Sequence, residues 1–210
     1  MPAKKSPSPR PARPWLVGGL LVALLILAGG IVGFGAIQGG WPWPATDPAR
    51  STIGGPFSLH AADGRAITER SFPGRWLVVF FGYTHCPDVC PTTLGEVAQA
   101  LTRLGPLADR VQPLFVTIDP DRDTPDALRS YTAAFGDRIL GLTGSPAQIA
   151  AMVQAYRGYY ARSESGKDDA IEHNGVLYLM RPDGTYAGYL PPGIAAAVIA
   201  DKLKGLVGPG

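Results

Sequence analysis

Cys86 and Cys90 are the chain's only cysteines. They stand in Cys86-Pro87-Asp88-Val89-Cys90-Pro91, directly after the apolar run Trp76-Leu77-Val78-Val79-Phe80-Phe81. Two thiols held where a strand hands over to a helix can form a disulfide, exchange disulfides or grip a soft metal ion. Each cysteine precedes a proline, which pushes the residue before it toward extended backbone. The spacing therefore predicts a proline-braced turn, with Cys90 near the cap of a helix that begins at Pro91. Such a helix start lowers a thiol pKa, and thiolate is the form that binds metal or attacks a disulfide.

A structural disulfide closing so short a loop removes little chain entropy and stabilises weakly. Disulfide-exchange enzymes built on a similar strand-to-helix junction space their cysteines by two residues and set a proline opposite them. Here three residues intervene. The segment leading into the apolar run Val176 to Met180 is Glu172-His173-Asn174-Gly175, which has a histidine and no proline. Two thiolates and one imidazole suit Cu(I), and with an extra weak ligand they can hold Cu(II). A structural zinc site would want a fourth protein ligand, and a catalytic one would keep water there. His60 falls in an opening hairpin and His85 is locked beside Cys86, so neither is a candidate ligand. Met152 lies on an apolar helical stripe and is assigned to the core.

The elements that must position these groups follow from turns, caps and periodicity. Phe57 to His60 and Ala66 to Thr68 flank the turn Asp63-Gly64 as a hairpin. A buried strand runs from Trp76 to Phe81, a helix from about Pro91 to Leu104 with Gly105-Pro106 as its stop, and a second buried strand from Val111 to Ile118. Thr124 caps a helix with Pro125 at its first position, and Ser145 opens another through a capping box with Gln148. Val176 to Met180 and Thr185 to Leu190 form a hairpin, and Ala195 to Leu206 a closing helix. This order is that of an α/β, thioredoxin-like sandwich.

Trp15 to Ile37 carries no charged residue and is long enough, at roughly 1.5 Å per residue, to cross a ~30 Å hydrocarbon layer as a helix. It exceeds the apolar core of a cleaved signal peptide. Lys4, Lys5, Arg10 and Arg13 precede it and no basic residue follows before Arg50, so the tail stays cytoplasmic and the domain is exported. The head lacks the pattern of an organelle presequence, which places the protein in a bacterial inner membrane with its C-terminal domain in the periplasm. The expected division is a tail over 1–14, an N-terminal transmembrane helix over 15–37, a linker over 38–52 and a copper-binding domain over 53–210. A net charge of +2, with scattered basic residues, excludes a nucleic-acid partner.

Phe81 through Pro91, Thr117-Ile118-Asp119-Pro120-Asp121-Arg122-Asp123-Thr124-Pro125, Gly141-Leu142-Thr143-Gly144, and His173 ahead of Tyr178-Leu179-Met180-Arg181-Pro182-Asp183-Gly184 closely resemble the Sco/SenC family. The resemblance covers nearly the whole domain after the linker. It implies a thioredoxin-like copper metallochaperone, not an enzyme, that serves the dinuclear copper A site in subunit II of cytochrome c oxidase. Cys86, Cys90 and His173 match the family's copper ligands, and another periplasmic copper chaperone is a candidate partner. Asp119, Asp121, Arg122 and Asp123 match an acidic loop associated with partner docking, which on physical grounds could equally be a salt-bridged helix start. Glu172 departs from the aspartate common before the family's histidine. Two rival readings use the same site: an exported thiol-disulfide oxidoreductase working through a Cys86–Cys90 disulfide on the oxidase cysteines, and a copper or redox sensor.

Overall fold

The computed structural model describes residues 53–162 and 170–208. The predicted tail, membrane span and linker lie outside the described residues, among which no helix is long and apolar enough to cross a membrane.

Strands β1 (Ser58–Ala61) and β2 (Ala66–Thr68) form the expected hairpin, turning at Gly64, whose φ of +84° suits glycine. Strand β3 (Trp76–Gly82) is followed by helix α1 (Val89–Leu104), a 3₁₀ turn (Gly105–Arg110) and β4 (Val111–Thr117). Helix α2 (Pro125–Ala133), β5 (Leu140–Thr143) and α3 (Pro146–Ala155) come next. Then come the short strands β6 (Tyr160–Arg162) and β7 (Ile171–His173), the hairpin of β8 (Leu177–Met180) and β9 (Tyr186–Leu190), and α4 (Ala196–Val207). The main sheet has the order β2-β1-β5-β4-β3-β8-β9, with β3, β4 and β5 parallel and the others antiparallel to their neighbours; β6 and β7 pair separately.

The unbroken apolar runs of β3 and β4 fit this layout, because central parallel strands are covered on both faces. Phe80 meets Phe115, which meets Tyr131 of α2 on one face, while Phe81 meets Tyr156 and Tyr178 on the other. Thr124 and Ser145 cap α2 and α3, the latter through a full capping box.

Two features depart from the sequence expectation. Helix α1 begins at Val89, so Cys90 lies inside it with Pro91 as its third residue. First-turn amides have no partner within their helix, so a proline there breaks no hydrogen bond. Strands β5, β6 and β7 were not anticipated, since three or four residues are too few to show a period of two.

Candidate metal centre

Strand β3 delivers the cysteine loop from its buried end at Gly82. A Cβ there would lie 2.8 Å from the Cys90 Sγ and 2.7 Å from the Phe115 ring, so glycine makes room for the sulfur. The Cys86 N–H donates to the Tyr83 carbonyl at 3.3 Å, and the Cys90 N–H points at the Cys86 Sγ at 3.5 Å. Both thiols are free; Cys86 is half-buried and Cys90 fully so.

Asp123 anchors the loop from below. Its wholly buried carboxylate accepts the Thr84 N–H at 3.0 Å, the Thr84 hydroxyl at 2.6 Å and the Thr117 hydroxyl at 2.6 Å. His85 turns toward the same group, its Nδ1 being 3.6 Å from Asp123 Oδ1 and 3.1 Å from Thr84 Oγ1. It therefore stays out of the cluster that His173 joins. His60 is exposed on β1, opposite Ala66 and Thr143.

His173 ends β7, paired with Tyr160 of β6. Its Nε2 lies 3.6 Å from the Cys90 Sγ, and the donor atoms of Cys86, Cys90 and His173 all fall within 4.8 Å of one another. The imidazole stands edge-on to the rings of Phe80 and Tyr83, each centroid 6.1 Å away. The neighbouring Asn174 accepts the Tyr159 N–H at 2.9 Å and donates to the Tyr178 hydroxyl at 2.7 Å. Arg162 of β6 bonds the buried Asp119, which also takes Arg122.

Burial pushes the Cys90 thiol pKa up, and the nearby Cys86 and Asp123 charges add to this. The lowering expected from a helix start is outweighed, because desolvation of a thiolate opposes the dipole. Burial likewise lowers the His173 pKa, which keeps the imidazole neutral. The metal-free cluster is thus a protonated thiol beside a neutral imidazole. A soft cation would fit it by displacing the thiol protons and taking two sulfurs and a nitrogen. The His173 Nδ1 is buried with no hydrogen-bond partner among the described residues, so the ring's polar capacity is not fully used there.

Of the acidic loop, Asp119 and Asp123 are wholly buried, Arg122 is partly exposed and Asp121 is exposed. Sequence reasoning named the three residues that the structure clusters, but not the bonds that Asp123 and Asn174 make beside them. Thr84 and Asp123 are small polar residues within the quoted motifs, and that was the signal available.

Residues 45–208 match the family model described as SCO1/SenC. The chain belongs to the SCO1/SenC family. Among SCO1/SenC relatives, Protein SCO1 homolog 1, mitochondrial, of Arabidopsis thaliana is 38% identical over 142 residues, covering 67% of this chain and 42% of that protein. Protein SCO2 homolog, mitochondrial, of Bos taurus is 40% identical over 154 residues, covering 71% of this chain and 58% of that protein. The solved structure of Bradyrhizobium japonicum ScoI with copper bound superposes with a TM-score of 0.67 at 39% identity, covering 72% of this chain and 98% of that one. The SCO1/SenC chain spans about half the length of the curated relatives it matches. Its fold is the thioredoxin-like Sco fold, with a mixed sheet and helices on both faces.

Proposed function

We propose that this SCO1/SenC chain is a copper metallochaperone that carries copper as cargo on Cys86, Cys90 and His173. The observation that carries the reading is the convergence of two sulfurs and one imidazole nitrogen within 4.8 Å. The copper in the ScoI relative supports it. The apolar segment 15–37 would anchor the chain in a bacterial inner membrane with the domain in the periplasm. The recipient would be the dinuclear copper A site of cytochrome c oxidase subunit II, and another periplasmic copper chaperone would be a further partner. No turnover chemistry is required. Copper would leave by exchange, an incoming thiolate displacing one ligand at a time. Oxidation of Cys86 and Cys90 to a disulfide would remove both sulfur donors, so redox poise would gate loading. Asp121 is the loop residue whose charge could meet a partner directly.

The test is Cu(I) titration of the reduced protein with X-ray absorption on the loaded form. About one ion held by two sulfurs and one nitrogen is expected. Cys86→Ala and Cys90→Ala should each abolish tight binding and His173→Ala should weaken it. Full retention in the cysteine variants would reject the reading.

One observation favours a second reading, a thiol-disulfide reductase of the oxidase cysteines. The pair combines an accessible thiol, Cys86, with a sheltered one, Cys90. That arrangement suits attack by the first and resolution by the second. The reductase needs no imidazole, so normal oxidase assembly with His173→Ala would favour it.

A further inference from the structure

We infer that Tyr83 is a positioning residue of this site, joining the cysteine loop to the histidine strand and setting the imidazole over the thiols. The inference deepens the copper reading and rests on it. The two-stranded sheet β6–β7 is hydrogen-bonded to no strand of the main sheet among the described residues. An isolated two-stranded ribbon is marginally stable, so the place of His173 depends on ties from outside. Asn174 ties it to β8, Asp119 ties it through Arg162 to the segment after β4, and Tyr83 ties it to the cysteine loop itself.

Tyr83 holds both sides at once. Its backbone carbonyl accepts the Cys86 N–H at 3.3 Å, and its hydroxyl accepts the Ile171 N–H at 3.2 Å. Ile171 opens β7 two residues before His173, and strand residues two apart share a face. Fixing the backbone at Ile171 therefore fixes the direction in which His173 projects. The His173 ring also stands against the Tyr83 ring at an interplanar angle of 82°. Tyr83 and Ile171 are both buried, so without the hydroxyl the Ile171 amide loses its acceptor away from water. A ribbon freed at that point offers its imidazole to the ion only part of the time, and apparent affinity falls by that fraction.

The experiment is Tyr83→Phe in the full chain, which removes one oxygen and keeps the ring. Cu(I) affinity is read by competition with a chromophoric chelator, in the native and the His173→Ala backgrounds. A loss of about tenfold is expected in the native background. In His173→Ala the same change should shift affinity by less than about twofold, because the group being positioned is gone. Unchanged affinity in the native background, or equal losses in both, would overturn the inference. Lowered thermal stability with copper affinity intact would also overturn it.

A second measurement needs no copper. In the metal-free protein, Tyr83→Phe should shift the His173 ring proton resonances and speed hydrogen exchange at the Ile171 amide. Native values for both would overturn the inference. If the wild-type chain itself held no Cu(I), the copper reading would fall, and the metal-free spectra would still decide the role of Tyr83.

Discussion

The Cys90 Sγ and the His173 Nε2 are 3.6 Å apart, although 83 positions separate the two residues in the chain. The sulfur reaches that point from the first turn of α1, and the nitrogen from a ribbon outside the main sheet. The thiol is desolvated, and the other ring nitrogen of His173 is buried with no hydrogen-bond partner among the described residues. Buried polar groups are normally paired, so this juxtaposition is placed for something other than stability.

The two thiols should react unequally. Cys86 is partly exposed, whereas Cys90 is buried and its thiol is held protonated. Since thiolate character and access set the rate, iodoacetamide should modify Cys86 at least about tenfold faster than Cys90 in the reduced, metal-free protein. Fragment-ion mass spectrometry of the peptide holding both cysteines measures this. Equal rates would show that Cys90 is not shielded.

Gly82→Ala and Gly95→Ala should have opposite effects. At Gly82 the new methyl meets the Cys90 sulfur and the Phe115 ring, and overpacking of this kind costs about 1–3 kcal/mol. It should also push the sulfur aside and weaken Cu(I) binding. Gly95 lies within α1 with nothing among the described residues within 4 Å of an added Cβ, so alanine there should stabilise by about 0.5–1 kcal/mol. Urea unfolding of the three proteins checks both signs.

Asp123→Ala should destabilise the domain by about 3 kcal/mol, because it strips a buried carboxyl acceptor from the Thr84 amide and from two hydroxyls. Copper affinity should fall with it, since Thr84 stands two residues before Cys86. Asp121→Ala removes an exposed charge and should alter neither property. A harmless Asp123→Ala in denaturant melts and copper titration would show that the carboxylate does not anchor the loop.

The sequence exposed the parts of this molecule with strong local signatures. Turn glycines, the Thr124 and Ser145 caps, and the apolar runs of β3 and β4 each carry their own physical cause. The donor triad was also legible, because cysteine and histidine declare their chemistry by type. Strands β5 to β7 were not, since their length gives no periodicity and their pairing comes from distant chain. The start of α1 was misplaced by weighing what proline does to its predecessor above how freely a first turn accepts it. Asp123 read as a candidate docking residue or part of a salt-bridged helix start because sequence shows neither its burial nor its bonds to Thr84. The same blindness applied to Cys90, whose helix position argued for a low pKa until burial reversed the sign.

Protonation of His173 should be felt in stability. Its pKa lies below the ordinary 6.5 because burial penalises the imidazolium. The unfolded chain therefore binds the proton more readily, and stability rises with pH wherever that holds. The neutral-imidazole contribution is fully present above about pH 6.5 and is lost as pH falls from there through the lower folded value. The informative quantity is a difference, which cancels what the rest of the chain contributes. The stability of the metal-free wild type relative to His173→Gln, measured by urea unfolding, should fall between about pH 7.5 and about pH 5.5. A constant difference across that window would mean that the imidazole protonates in place without cost, as a solvated side chain does. The nitrogen facing Cys90 would then be open to water, and its fitness as a ligand beside a desolvated sulfur would lose its physical basis.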